Sequence, residues 1–266
     1  MLSVEKQMLF LLTKVDVMET QELIRIYEKR GYSAAYIRNM LSQLKKDGYA
    51  DSPSRSTYRI TGSGRSFIRS VNRKPQLYGQ SWDGQWHLVL MSFPETERKR
   101  RDRVRADLLQ TGFGQLQGGV YVSPWAYREE LADLLQRHEA QTYATVFTGR
   151  LEQGRLSPEQ AADVWALADI AARYADKLRW LREQFEPAFA AALNSGVGTA
   201  GALELFVLYL ALGEQINELC LADPMLPLEL LPQGWTGQQA LERLLGRLQQ
   251  AEAAIPRDSE YARFVR

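Results

Sequence analysis

Apolar residues recur at helical spacing through the first fifty positions. Leu9, Leu12 and Val15, with Phe10 and Leu11 beside them, predict a first amphipathic helix. Thr20 stands where a second helix needs its N-cap, ahead of Leu23, Ile24 and Tyr27, and Gly31 follows Lys29 and Arg30 as its stop. A third helix is predicted from Ser33, a capping residue, to Gly48. Its Ile37, Met40, Leu41 and Leu44 share one face; Ala35, Arg38, Asn39, Ser42 and Lys46 lie opposite, flanked by Tyr36, Gln43 and Lys45. A turn rich in Ser, Pro and Arg then leads to Tyr58, Ile60 and Thr61, which predict a strand. Three short helices and a returning strand are the order of a winged helix-turn-helix.

Beyond a predicted hinge at Ser70 to Pro75 the period changes. Trp86 to Phe93 predicts a buried strand, with Trp82 and Trp86 at its mouth, and Pro94 with Glu95 and Glu97 opens a helix to about Gln110. Gly112 to Leu116 and Gly119 to Ser123 predict a hairpin turning at Gly118 and Gly119, before a helix from Tyr127 to His138 and a strand through Thr142 to Phe147. Strand, helix, strand, strand, helix, strand is the ferredoxin-like βαββαβ order. Ser157 and Pro158 then open a helix whose predicted apolar stripe is Val164, Ala168, Ala171, Ala175, Leu178, Leu181 and Phe185. Ala202 to Leu221 and Gln238 to Ala254 predict further helices, with Phe206 and Tyr209 as core aromatics. The expected fold class is α+β multidomain: a winged helix-turn-helix over 1–75, a ferredoxin-like middle and dimerisation domain over 76–155, and a mostly helical C-terminal domain over 156–266.

Charge sharpens this division. The whole chain holds 33 Lys and Arg against 32 Asp and Glu, but residues 1–79 carry 14 against 7 and residues 156–266 carry 9 against 15. A basic N-terminal third attracts a polyanion, and nucleic acid is held by release of its counterions. A winged helix inserts the N-terminal part of its third helix into the major groove. On that basis Asn39 and Gln43 suit adenine edges and Arg38 suits guanine; Tyr36 and Ser42 share the face, and Lys45, Lys46, Arg55 and Arg59 suit phosphates. The six cations between Arg98 and Arg105 invite a second phosphate site. Four of them are consecutive and so spread round the helix, and Glu95 and Glu97 stand four residues before Lys99 and Arg101, which predicts an ion-paired face.

Other chemistry is poorly supported by the sequence. Cys220 is alone, which excludes an intrachain disulfide and a multi-cysteine metal site and suits a reduced, cytoplasmic setting. His87 and His138 lack metal-ligand spacing, and the chain contains neither a G-x-S-x-G elbow nor a Walker loop. The start of the chain lacks the pattern of a secretory leader. The apolar run Leu203 to Leu212 contains Glu204, is bounded by Gly201 and Gly213, and is expected to be too short to cross a bilayer. No enzymatic activity, cofactor, metal or membrane partner is expected.

Two long motifs carry a family resemblance. One begins with Tyr78, Gly79, Trp82, Asp83, Gly84 and Trp86, continues through Phe93, Pro94, Glu95 and Arg98, and ends at Gly112, Phe113, Gly114, Leu116 and Gly119 to Pro124. The other is Asp223, Pro224, Leu226, Pro227, Leu230, Leu231, Pro232, Trp235 and Gly237. Together they resemble the PaaX family, repressors of phenylacetic-acid degradation genes, over essentially the whole chain. The resemblance implies a cytoplasmic, homodimeric transcriptional repressor of an aromatic catabolic operon, bound to double-stranded operator DNA and released by an aryl-CoA or acyl-CoA thioester such as phenylacetyl-CoA. In place of the basic stretch that often precedes Asp-Pro in that family, this chain has Glu214 to Ala222, which leaves the effector's identity open. Arg173, Lys177 and Trp180 form a conceivable effector contact, two cations for phosphates and an aromatic surface for an acyl tail. The alternative is an enzyme on the ferredoxin-like domain, since the middle segment is also similar to small CRISPR-associated proteins, some of them metal-dependent nucleases with an Asp ending the first strand. The matching stretch here, LVLMSFPE, has no Asp.

Overall fold

In the computed structural model, which describes residues 3–152, 156–194 and 199–265, the chain begins as a small α+β assembly. Helix α1 (Ser3–Thr13) is followed by strand β1 (Met18–Glu19), helices α2 (Thr20–Glu28) and α3 (Ala34–Lys46), and strands β2 (Ala50–Asp51) and β3 (Thr57–Ile60). The three strands form an antiparallel sheet in the order β1-β3-β2. Helix α1 lies against both α3 and β3, and Met8, Leu9, Leu12, Leu23, Ile24, Ile37, Leu41 and Leu44 close the core between them. Helix α3 starts where the sequence predicts: Ser33 is its N-cap, accepting from the Tyr36 amide at 3.2 Å, and Gly48 follows its end at φ 76°. Thr20 is not a cap. Glu19 holds that position without a side-chain bond, because β1 is drawn onto β3 and the Thr20 hydroxyl donates instead to Ser56 O at 2.9 Å. Val15 lies beyond the end of α1.

Two compact units are present. One comprises Met1–Arg69, Tyr174–Glu218 and Gln239–Arg266, the other Ser70–Arg173 and Leu219–Gln238. The predicted hinge at Ser70 to Pro75 is instead helical. Helix α4 (Gly62–Arg73) runs into a 3-10 turn at Lys74–Leu77, and Lys74 is buried with its ammonium donating to Gln110 O at 3.1 Å. The polar composition that suggested a linker is used to satisfy an interior carbonyl.

Strand β4 (Trp86–Met91), helix α5 (Arg98–Thr111), strands β5 (Gly114–Gln117) and β6 (Val120–Ser123), helix α6 (Arg128–Arg137) and strand β7 (Ala144–Gly149) form a four-stranded antiparallel sheet ordered β5-β6-β4-β7. That order and the βαββαβ succession agree with the expectation for the middle segment. The β5–β6 turn needs its glycine. Gly119 sits at φ 77°, its carbonyl accepts from the Met91 amide at 2.7 Å, and a Cβ there would stand 2.6 Å from Met91 O.

The helix predicted to start at Ser157 is two helices, α7 (Pro158–Val164) and α8 (Leu167–Trp180). Ser157 and Gln160 form a capping box at the start of α7. The break falls at Trp165 and Ala166, the latter at φ 49°, and turns the Trp165 indole to donate to Gly112 O at 3.1 Å. It also shifts the buried stripe: Leu167, Ile170, Tyr174, Leu181 and Phe185 are buried, whereas Ala168, Ala171 and Ala175 are exposed.

A π-helical turn at Leu181–Phe185 leads into α9 (Glu186–Asn194), and α10 (Thr199–Ala222) and α11 (Gly237–Ala254) follow. Gly213 does not end the apolar run. Helix α10 passes through it, and Gly201–Ala222 is long and apolar enough to cross a membrane by length and composition. More than half of that stretch is buried inside the protein, as in a core helix. Phe206 stacks on Tyr209, Tyr261 and Phe264, so the predicted core aromatics are core.

The two long sequence motifs meet. Tyr78, which opens the first, donates to the carboxylate of Asp223, which opens the second. Asp223 is 1% exposed and also accepts from the Met225 amide at 2.7 Å, while Met225 O, on a residue at φ 53°, accepts from the Trp125 indole at 2.7 Å. Substituting Tyr78→Phe removes one donor to a buried carboxylate and is expected to lower stability by about 1–3 kcal/mol, measured by urea denaturation. Ser33→Ala removes the α3 cap and should cost about 1 kcal/mol in the same measurement.

Candidate nucleic-acid interface

Helix α3 turns three apolar residues, Ile37, Leu41 and Leu44, fully inward, with Met40 half-buried at the margin. That periodicity forces Arg38, Asn39, Ser42, Gln43, Lys45 and Lys46 outward, and all six are exposed; Tyr36 is half-buried. Gln43 is engaged within the helix, its amide donating to both Asp47 carboxylate oxygens at 2.9 Å.

The β2–β3 turn is built by short polar contacts. The Ser54 amide donates to the Thr57 hydroxyl at 3.1 Å, that hydroxyl donates to Ser54 O at 3.1 Å, and Ser56 sits at φ 60°. Arg55 is exposed at the tip of this turn. Arg59, on β3, spans to Asp51 on β2 with Nε at 2.8 Å and Nη2 at 3.1 Å from the two carboxylate oxygens. Hydrogen bonding and charge from Asp51 push the Arg59 guanidinium further up from its already high range. Arg59 is therefore a paired cation that shares its charge with Asp51.

Pairing divides the cations of this unit into two sets. Arg25 bonds Glu260 at 2.9 Å, and Arg263 pairs with Glu22, Arg247 with Glu186, Lys177 with Glu218 and Arg30 with Glu214. Among the described residues, Arg38, Lys45, Lys46 and Arg55 have no ion-pair partner and are exposed together on α3 and at the β2–β3 turn, while Lys29, Arg65, Arg69, Arg243 and Arg257 are exposed without one on other elements. Unpaired cations of this kind are free to meet an external anion.

The polar cluster behind this surface is not among the sequence-based expectations. Arg30, just past α2, is buried and pairs with Glu214 of α10, with side-chain exposures of 5% and 10%. Its guanidinium also donates to Gln7 Oε1 and lies 5.3 Å and 5.4 Å from the ring centres of Tyr27 and Tyr32. Tyr32 donates to Glu214 at 2.9 Å, and its ring stacks on Tyr36 at 5.2 Å and 20°. Burial, reinforced by the Glu214 carboxylate, pushes the Tyr32 phenol up to about 12. Asn217 accepts from Lys6 at 2.6 Å and Glu218 from Lys177, so the Glu214 to Ala222 stretch ties α10 to α1, α2 and α8.

The remaining candidates are placed as follows. Arg173 is exposed; Lys177 is half-buried, with Gln215 Oε1 at 2.7 Å in addition to Glu218; and the Trp180 ring lies 5.8 Å from that of Phe185. On α5 and the turn before it, cations pair with nearby acids, Arg101 with Glu95 at 3.4 Å, Arg100 with Glu97 at 3.3 Å and Arg98 with Asp102 at 4.0 Å. Glu95 and Glu97 pair with Arg101 and Arg100 rather than with the predicted Lys99 and Arg101, because a 3-10 turn at Glu95–Glu97 resets the helix phase. His87 Nδ1 is 3.0 Å from the Thr148 hydroxyl, and burial lowers its pKa. His138 is held by Asp107 at 2.8 Å.

Comparison with known proteins adds a family. Residues 79–161 match the PaaX protein central Cas2-like domain, and residues 165–255 match the PaaX-like protein C-terminal domain. The transcriptional repressor PaaX of Escherichia coli (strain K12) is 27% identical over 249 residues, which cover 90% of this chain and 76% of that protein. Among solved structures, the uncharacterized protein Rv0674 from Mycobacterium tuberculosis aligns with a TM-score of 0.47 at 21% identity, covering 89% of this chain and 91% of that one. With both domains matched in order and a relative aligned along nearly the whole sequence, the chain belongs to the PaaX family.

Proposed function

We propose that this protein is a sequence-specific, DNA-binding transcriptional repressor whose segment 1–75 acts as a winged helix-turn-helix. The observation that carries the reading is the cluster of exposed, unpaired cations, Arg38, Lys45, Lys46 and Arg55, on α3 and the β2–β3 turn. Elsewhere in the same unit Arg25, Arg30, Lys177, Arg247 and Arg263 each meet a carboxylate. A surface that leaves guanidinium and ammonium groups unneutralised on one helix and the adjoining turn matches a phosphate backbone, and Asn39 between them supplies a side chain that can read adenine. The E. coli relative is a transcriptional repressor by name, which points the same way.

In this reading α3 enters the major groove. Tyr36, Arg38, Asn39, Ser42 and Gln43 face the bases, and Lys45, Lys46, Arg55 and Arg59 face phosphates, Arg59 with its charge moderated by Asp51. Residues 76–155 join two copies in a homodimer and residues 156–266 sense an acyl-CoA or aryl-CoA thioester. Arg173, Lys177 and Trp180 would serve as its contacts only if the ligand phosphate displaces Glu218 from Lys177. Control of an aromatic catabolic operon completes the proposal.

Replacing Arg38 and Asn39 together with Ala should relax discrimination between a genomic upstream site and a scrambled fragment, with about 1–3 kcal/mol lost for each good base contact. Lys45→Ala with Lys46→Ala should instead weaken binding to all sequences alike and reduce the slope of log affinity against log salt by about 2. Fluorescence anisotropy across a salt series separates the two outcomes, and failure to shift any fragment from the gene's own neighbourhood would refute the reading. For the effector, a thermal-shift panel of acyl-CoA thioesters and their free acids should show stabilisation by one thioester alone, about 2.7 kcal/mol at a hundredfold excess over Kd.

A further inference from the structure

We infer that Glu214 is a positioning residue for the DNA-reading helix, acting from α10 through Arg30 and Tyr32 on Tyr36 in the first turn of α3. The inference rests on the proposed DNA-binding function and adds to it a residue far away in sequence. Its geometry forms a chain of direct contacts. The Glu214 carboxylate pairs with the buried Arg30 guanidinium and accepts from the Tyr32 hydroxyl, Oε1 at 2.9 Å and Oε2 at 3.2 Å. Tyr32 lies in the short connection between α2 and α3, and its ring stacks on Tyr36 at 5.2 Å with planes 20° apart. Arg30 closes the arrangement from below, lying 5.4 Å from the Tyr32 ring centre and donating to Gln7 of α1.

The turn between α2 and α3 contains Gly31 at φ 82°, and its backbone bonds, Gly31 N to Glu28 O at 3.0 Å and Tyr32 N to Tyr27 O at 3.1 Å, terminate α2. These bonds fix the end of α2, and burial of Ile37, Leu41 and Leu44 seats α3 on the core. Tyr32 and its partners hold the first turn of α3 in place. A base-reading helix must hold its side chains to within a fraction of an ångström of their partners, so loosening Tyr32 should cost sequence discrimination before it costs the sequence-independent attraction to phosphate, which tolerates displacement. Lys6 to Asn217 and Lys177 to Glu218 hold α10 against α1 and α8, so that Glu214 has a fixed base from which to act.

Removing Glu214 alone would strand a buried guanidinium and threaten the fold. The test therefore uses Tyr32→Phe, which keeps the ring stack and removes only the hydroxyl, and the double variant R30M/E214L, which replaces the ion pair by apolar side chains of similar volume. Circular dichroism should show both folded. Tyr32→Phe should lower the ratio of specific to scrambled-site affinity about threefold, and R30M/E214L about tenfold or more, with scrambled-site affinity unchanged in both. In parallel, 3-fluorotyrosine at position 36 in the DNA-free protein should shift its 19F resonance in each variant. Folded variants with an unchanged 19F resonance, or with a shifted resonance and full discrimination, would overturn the inference. A wild-type protein that selects no DNA site would overturn the functional reading instead, and the 19F arm would still decide whether Glu214 positions α3.

Discussion

A guanidinium withdrawn from water must find a counter-charge, and in this protein that requirement ties distant parts of the sequence together. Arg30 is nearly inaccessible, and its partner Glu214 comes from α10, 184 positions further along. Breaking such a pair by deleting one partner typically costs about 3–5 kcal/mol, because the remaining charge stays buried. Gln7, Tyr27 and Tyr32 complete its surroundings, so α1, α2 and α10 are held to one another by polar contacts as well as by their apolar stripes. The N-terminal assembly thus shares its compact unit with helices from the end of the chain.

The same rule, applied at the surface, separates structural cations from the others. Arg25, Arg247 and Arg263 are satisfied by acids, while Arg38, Lys45, Lys46 and Arg55 are left to solvent together on one helix and one turn, and Lys29, Arg65, Arg69, Arg243 and Arg257 are unpaired on other elements. The acidic excess of residues 156–266 is partly explained by this division. Glu186, Glu214, Glu218 and Glu260 each accept a cation within the first unit, two of them from the N-terminal segment. A basic N-terminal sequence is therefore neutralised where it is packed and left charged on the helix that is proposed to read DNA.

Local physics made much of this legible in the sequence. The 3.6-residue period of Ile37, Leu41 and Leu44, bracketed by Ser33 and Gly48, fixed the third helix and its outward face within two residues. The βαββαβ middle segment was equally readable, because each strand is bounded by glycine, proline or tryptophan and the hairpin turns at Gly118 and Gly119. What failed had non-local causes. Ser70 to Pro75 reads as a linker unless one knows that Gln110 offers a carbonyl to Lys74. The α7–α8 break is dictated by the place the Trp165 indole takes beside Gly112, and Gly213 is tolerated inside α10 because tertiary packing outweighs its helix propensity. The Glu214 cluster lay beyond sequence reasoning because its members are separated by nearly the length of the chain. For Arg59 the sequence offered a phosphate ligand, and only the β2–β3 register reveals Asp51 beside it.

DNA is proposed to meet α3 and the β2–β3 turn. Hydrogen–deuterium exchange mass spectrometry of the full-length protein, with and without a DNA fragment from the region upstream of its neighbouring genes, tests it most directly. Exchange should slow across residues 33–59 on adding that fragment, with a smaller effect from a scrambled fragment of the same length. Protection confined to other segments, or none in 33–59 at saturating DNA, would contradict it.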